Sequence, residues 1–176
     1  AMGRLHENKA FDVLLEAMAR IPGVYLWIAG EGPLRAELEK KAEVLGVKPR
    51  TRFLGWREDT QALLASADVF VCPSRHEPLG NVVLEAWAQG APVVAADSYG
   101  PGSLIDNRET GMLVPVDDAP TMARAIQNLL EDTKLRHRIA RQGQQAYKKD
   151  FTEKIIVDRY LEFFESVTKK TDEDTA

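Results

Sequence analysis

Short apolar runs recur along this chain, each followed by a turn and then a stretch of helical periodicity. The runs are Val24–Ala29 (VYLWIA), Thr51–Leu54 (TRFL), Val69–Cys72 (VFVC), Pro92–Ala96 (PVVAA) and Met112–Val116 (MLVPV). None alternates polar with apolar residues, so each reads as a strand buried on both faces. Between them, Phe11, Leu14, Leu15, Met18 and Ile21 recur at helical spacing and predict a helix over Lys9–Arg20. Leu34–Leu45, Asp59–Ser66 and Leu79–Gln89 read as further helices, and a loop with Gly100, Pro101 and Gly102 follows the fourth strand. From Ala119 the pattern is helical throughout, over Ala119–Glu131, Lys134–Lys148 and Thr152–Val167. Buried strands alternating with helices imply βαβ units with right-handed crossovers. The expected fold class is therefore α/β: a doubly wound, Rossmann-like parallel sheet with added C-terminal helices. Ligands of such sheets sit at the C-terminal ends of the strands. That singles out the loops Gly3–Lys9, Gly30–Pro33, Leu54–Glu58, Pro73–Asn81 and Asp97–Ile105.

The 176 residues suffice for one domain with a real core. Its expected extent is 1–170, followed by an acidic tail without fixed structure over 171–176. The net charge of −4 argues against a general nucleic-acid binder. The single cysteine, Cys72, lies in an apolar run and reads as a small hydrophobe. One cysteine forms no internal disulfide, which fits a reducing, cytoplasmic setting. No apolar run approaches the roughly 20 residues that span a bilayer, and no signal peptide is visible. Ala1-Met2-Gly3 reads as a loop entered at once, with no strand before it, as in a chain cut from something longer.

The densest functional signal lies between the Val69–Cys72 strand and Gly90. The chain breaks at Pro73, runs through a polar loop and restarts as a helix at Pro78-Leu79-Gly80-Asn81. Free N–H groups at such a helix start suit an anion. Glu77 precedes the helix and can accept sugar hydroxyls; Glu85 lies on it, where a carboxylate suits vicinal ribose hydroxyls. Both acids are embedded in apolar sequence, Val82-Val83-Leu84 on one side of Glu85 and Ala86-Trp87-Ala88 on the other. Arg4 and Lys9, ahead of the first helix, suit a diphosphate. Gly30-Glu31-Gly32-Pro33 lets backbone approach a ligand but lacks the third glycine of a dinucleotide fingerprint. His76 reads as a hydrogen-bonding loop histidine. His6 and His137 have no partners at metal-ligand spacing, so no metal site is expected. Asp172-Glu173-Asp174 spells an acid pair in a tail rather than at a strand end and is rejected as a metal motif.

Six motifs fall in order: Gly3-Arg4-Leu5 with Lys9, Ile28-Ala29-Gly30-Glu31-Gly32-Pro33, Phe53-Leu54-Gly55, Ala67 to Val71 with Pro73-Ser74, Glu77 with Glu85, and Gly90-x-Pro92-Val93-Val94-Ala95. Together they resemble the C-terminal, donor-binding domain of the group 1 retaining glycosyltransferases of GT-B fold. The resemblance implies a nucleoside-diphosphate sugar, with a UDP or GDP carrier, as donor. It implies that Arg4 and Lys9 hold the diphosphate, Glu77 the sugar, and Glu85 the ribose. Backbone at Pro78, Leu79, Gly80, Asn81 and Val82 would serve sugar and phosphate, and Gly30, Gly32, Leu34, Leu54, Gly55 and Trp56 would receive the base. It further implies catalysis without metal or other cofactor and with retention of configuration. The acceptor, a glycan or lipid of lipopolysaccharide or other envelope synthesis, would be brought by an N-terminal domain that this chain lacks. Any membrane contact would be peripheral, at the inner face, through that domain. Such a half would hold donor weakly and transfer nothing alone.

Two departures stand out. Lys9 is followed by Ala10 where the family usually has glycine, a change expected to cost little. Gly100-Pro101-Gly102-Ser103 stands where a Gly-x-x-Glu pattern is common, which removes an acid from that loop. Competing readings are a nucleotide-sugar epimerase or phosphorylase of the same architecture and a doubly wound nucleotide-binding module without chemistry. A flavodoxin-like response domain would need an acidic cluster where Arg4 stands.

Overall fold

The computed structural model describes residues 1–173, and the side chains of 1–168. A 3-10 turn over Glu7–Lys9 leads into α1 (Phe11–Met18), β1 (Leu26–Ala29) and α2 (Arg35–Val44). There follow β2 (Thr51–Gly55), α3 (Thr60–Ala65), β3 (Phe70–Cys72), α4 (Asn81–Ala88) and β4 (Val93–Ala96). The chain continues through α5 (Tyr99–Leu104), β5 (Met112–Val114), α6 (Ala119–Glu131), α7 (Thr133–Asp150) and α8 (Glu153–Glu173). Every pairing between these strands is parallel. They form two sheets, β1-β2 and β3-β4-β5, where one continuous sheet was expected. Between β1 and β3 runs an apolar slot of about 360 Å³, lined by Leu26, Ala29, Val69, Phe70 and Val71 among others.

Residues 1–3, expected as a loop, instead run along the edge of β1. Gly3 N donates to Ala29 O at 2.9 Å, Ala29 N to Ala1 O at 3.0 Å, and the Ala1 amine to Trp27 O at 2.9 Å.

Helices cover both faces of β3-β4-β5. Val71 and Val94 join a core with Leu14, Leu15, Met122 and Leu129 of α1 and α6. Phe70, Cys72, Val93 and Ala95 join the opposite core with Val83, Ala86 and Trp87 of α4. Trp87 is fully buried, and its Nε1 donates to Thr110 O at 3.0 Å. α7 packs over it at Gly143, where a Cβ would lie 2.5 Å from the indole ring, so glycine is required for α4 and α7 to meet.

Arg50 closes the far end of α1: its guanidinium donates to Ile21 O at 2.7 Å, to Val24 O at 3.0 Å and to Met18 O. α8 leaves Tyr160, Leu161, Phe163 and Phe164 exposed and runs to Glu173. The tail expected over 171–176 starts within α8, its residues 174–176 lie outside the described residues, and so do the side chains of Asp172-Glu173-Asp174, the rejected acid motif.

Three other boundaries depart from the sequence reading for identifiable reasons. The first helix begins at Phe11, not Lys9, because Ala10 sits in the left-handed region at φ 51° and separates it from the 3-10 turn. α4 begins at Asn81, not Leu79, because Gly80 is left-handed at φ 74° and forms the N-cap. The segment over 97–105, read as a loop from its Gly-Pro-Gly, contains α5. Its glycines serve close packing rather than a turn. A Cβ on Gly100 would lie 2.5 Å from Gly80 N and 2.6 Å from Glu77 O.

Candidate functional site

Lys9 and Glu77 stand on segments far apart in sequence. Lys9 ends the 3-10 turn, whose N-cap His6 accepts from Asn8 N through Nδ1 at 3.4 Å. Its aliphatic stem lies against Gly3, where a Cβ would sit 3.4 Å from Lys9 Cε. Glu77 is carried by the loop after β3 and is 8% exposed. The ammonium and the carboxylate form a direct ion pair. Gly100 N donates to Glu77 O at 2.7 Å and fixes the backbone of the loop from the side of α5.

The loop then enters α4, whose start has no side-chain cap. Asn81 and Val82 at that start line an open cavity of about 1190 Å³, together with Gly3, Arg4, Gly30, Trp56 and Glu85. Uncapped N–H groups and the positive end of the helix dipole favour an anion there. Desolvation, and after it the charge of Glu77, push the Glu85 carboxyl above the usual range. Glu85 and Arg4 thus lie in the cavity wall, and the Lys9–Glu77 pair stands outside that lining but near enough for the Glu77 charge to act on Glu85.

The residues expected from sequence fall in different places. Arg4, Gly30, Trp56, Asn81, Val82 and Glu85 line the cavity. Lys9 and Glu77 pair with each other outside that lining, and Pro78 and Leu79 are exposed on the loop that leads to α4. Gly80, Gly32 and Gly55 act through backbone space. A Cβ on Gly32 would lie 2.4 Å from Leu5 O, and one on Gly55 would lie 2.8 Å from the Glu31 carboxylate. Leu34 packs against the core, and Leu54 lines the apolar slot instead. Cys72 is buried, and burial pushes its thiol pKa up, so it stays protonated and inert. His76 is exposed and uses its backbone N–H, which donates to Asn8 O at 3.2 Å.

Glu31, Arg57 and Glu58, in loops that the sequence singled out but without a role of their own there, line the cavity, and so do Gln61, Tyr147 and Phe151, which sequence reasoning missed. Arg57 and Glu58 follow Trp56 directly at the end of β2, so their position offered a signal. Glu31 is held by Arg35 at 3.1 Å, a pairing that i,i+4 spacing allows. Tyr147 and Phe151 arrive from α7 and the residue after it, and nothing local in the sequence marks them.

A helix start without a cap, two cations and two carboxylates at the C-terminal ends of parallel strands can neutralise a diphosphate while accepting hydroxyl groups beside it. Comparison with known proteins agrees in kind. A family model described as "Glycosyl transferases group 1" matches residues 1–132. The lipopolysaccharide core biosynthesis glycosyltransferase LpsE of Rhizobium meliloti is 48% identical over 166 residues, which is 94% of this chain and 49% of that protein. LpsD of the same organism is 37% identical over 93% of this chain and 48% of its own length. The Anabaena Alr3699/HepE structure in complex with UDP superposes with a TM-score of 0.91 at 30% identity, over 94% of this chain and 47% of that one. The chain thus spans about half the length of these relatives. With its α/β fold and parallel strands, it belongs to the group 1 glycosyl transferases.

Proposed function

We propose that this chain is the donor-binding half of an enzyme that moves a sugar from a nucleoside diphosphate to a glycan or lipid acceptor. The carrying observation is the Lys9–Glu77 pair beside the uncapped start of α4. In the donor complex the β-phosphate takes Lys9, which frees Glu77 to accept hydroxyls of the sugar. Arg4 shares the diphosphate, Glu85 takes the ribose, and the base lies toward Gly30 and Trp56. As the glycosidic bond breaks, negative charge grows on the departing diphosphate. Arg4, Lys9 and the first N–H groups of α4 stabilise it where it develops. Retention of configuration and independence from a metal ion come with the family resemblance. UDP is the carrier favoured by the Anabaena relative, whose structure holds it. Lipopolysaccharide synthesis is the setting favoured by the two Rhizobium relatives. The acceptor, and any peripheral contact with the cytoplasmic face of a membrane, belong to the remainder of a protein of the relatives' length.

Calorimetry with UDP, GDP and ADP tests the donor assignment. The expected result is binding of UDP and at least a tenfold loss on Arg4→Ala/Lys9→Ala, about 1.4 kcal/mol or more. Equal binding by the double variant would remove the diphosphate assignment. For the longer protein, NMR of the product anomer decides retention, and an epimerised nucleotide sugar in place of UDP plus glycoside would mark an epimerase instead.

A further inference from the structure

The loop carrying Glu77 and the turn carrying Lys9 meet along a seam that runs in register. Arg75 meets Glu7, His76 meets Asn8, and Glu77 meets Lys9. The contacts are Arg75 Nη1 to Glu7 O at 2.9 Å, His76 N to Asn8 O at 3.2 Å, and the Lys9–Glu77 ion pair. Arg75 anchors the far end of the seam. Its Nη1 and Nη2 grip the two carboxylate oxygens of Asp12 at 3.0 and 2.7 Å, and its Nε lies 2.6 Å from Asp117 Oδ1. One guanidinium therefore ties the loop after β3 to the turn before α1, to the first turn of α1 and to the turn before α6. Lys41 Nζ also lies 3.9 Å from Asp12 Oδ2. The Arg75 guanidinium is thus taken up by Asp12, Asp117 and the Glu7 carbonyl.

We propose that Arg75 is a positioning residue for the donor site: through the seam it fixes the spacing of the Lys9 ammonium and the Glu77 carboxylate without touching the donor. The inference rests on the donor reading of that site. An arginine suits the task because its rigid fork reaches several acceptors at fixed angles. A lysine carries the charge but holds only a point contact. Without the clamp, the loop keeps Glu77 but no longer presents it two positions beyond a fixed anchor. The donor sugar, read by Glu77, then suffers more than the nucleotide.

The test measures UDP and UDP-glucose affinities by calorimetry for the wild type, Arg75→Ala, Arg75→Lys and, as a control for lost stability alone, Arg50→Ala. The expected result is at least a fivefold fall in the ratio of UDP-glucose to UDP affinity for Arg75→Ala, a partial recovery for Arg75→Lys, and no change for Arg50→Ala. A lowered melting temperature with the ratio unchanged in Arg75→Ala would reduce Arg75 to a structural role and overturn the proposal. A ligand-free arm separates this outcome from failure of the donor reading. Melting-temperature losses of Lys9→Met and Glu77→Gln should be non-additive in the wild-type background and additive with Arg75→Ala. If the wild type bound neither nucleotide, the donor reading would fall. The cycle would still decide positioning: coupling that survives Arg75→Ala overturns it.

Discussion

Two arginines clasp α1, one at each end, and they do different work. At the C-terminal end Arg50 donates to the carbonyls of Met18, Ile21 and Val24. These are neutral acceptors left over where a helix stops, and a cation there is favourable to the helix dipole. At the N-terminal end Arg75 meets carboxylates from two elements and one carbonyl. The first clasp closes a turn; the second lies on the side of the sheet where the loops converge. A parallel α/β domain thus separates its tasks by strand polarity, with stability at one rim and recognition at the other.

The largest effect that sharpens this contrast is on stability. Arg50→Ala should cost about 2–3 kcal/mol, since three charge-assisted hydrogen bonds to partly buried carbonyls are lost and, of these acceptors, Met18 O retains its bond from Ile21 N. Thermal melting should then fall by roughly 5–10 °C, with the balance between UDP-glucose and UDP affinity intact.

The acid limb of stability comes next. Burial works to raise the Asp12 pKa, but the hydrogen bond and charge of Arg75, then the charge of Lys41, outweigh it and hold the carboxyl below the usual range. A depressed acid stabilises the fold above its unfolded pKa, and the contribution disappears as pH falls through the folded value. Asp12→Asn should therefore flatten the fall of stability below about pH 4, removing a contribution of no more than ~1 kcal/mol given the solvent exposure of the pair. Arg75→Ala should flatten it in the same window, and Arg50→Ala should not.

Glu85 has the opposite sign. Its raised pKa means the folded state binds its proton more tightly than the unfolded one, so stability is lost as pH rises through the folded value. Glu85→Gln should melt about 1–2 °C higher at neutral pH and bind nucleotide more weakly, a trade of stability for function. A lower melting temperature would mean that Glu85 is a structural partner and not a ligand group.

Ala10→Gly should give the smallest change. Relief of a left-handed alanine is worth about 1 kcal/mol, and the added freedom of the unfolded chain takes back about 0.4–1 kcal/mol. Denaturant titration should show a net shift within about 0.5 kcal/mol, while a β-branched residue at the same position should destabilise by clearly more.

The sequence made much of this legible because burial on both faces leaves a direct trace. VFVC and PVVAA could only be interior strands, and both occupy the central layer. Glu85 was legible because an acid amid apolar neighbours is costly unless used, and Glu77 because it stands between a buried strand and a helix start. Less visible were features that depend on backbone conformation or on distant segments. Ala10 looked like an ordinary helical residue, and its left-handed φ emerges only from the turn before it. Gly100-Pro101-Gly102 looked like a loop, since the close approach of Gly80 that demands glycine comes from another element. The Arg75–Asp12 fork joins residues 63 positions apart, so no periodicity could announce it.

The abutment of Gly100 on the turn at Gly80 bears on how such a site diversifies. The loop that presents Glu77 is braced on one flank by the seam and on the other by a glycine that admits no side chain. Beside these braces, Leu79 is 70% exposed and Tyr99 is 83% exposed. Both can change without moving the frame. Mutational drift thus meets two very different neighbours a few ångströms apart, one that tolerates no methyl group and one that tolerates nearly anything. A lineage can retune what meets the outer edge of the site at Leu79 and Tyr99 while inheriting the frame at Gly80 and Gly100 unchanged.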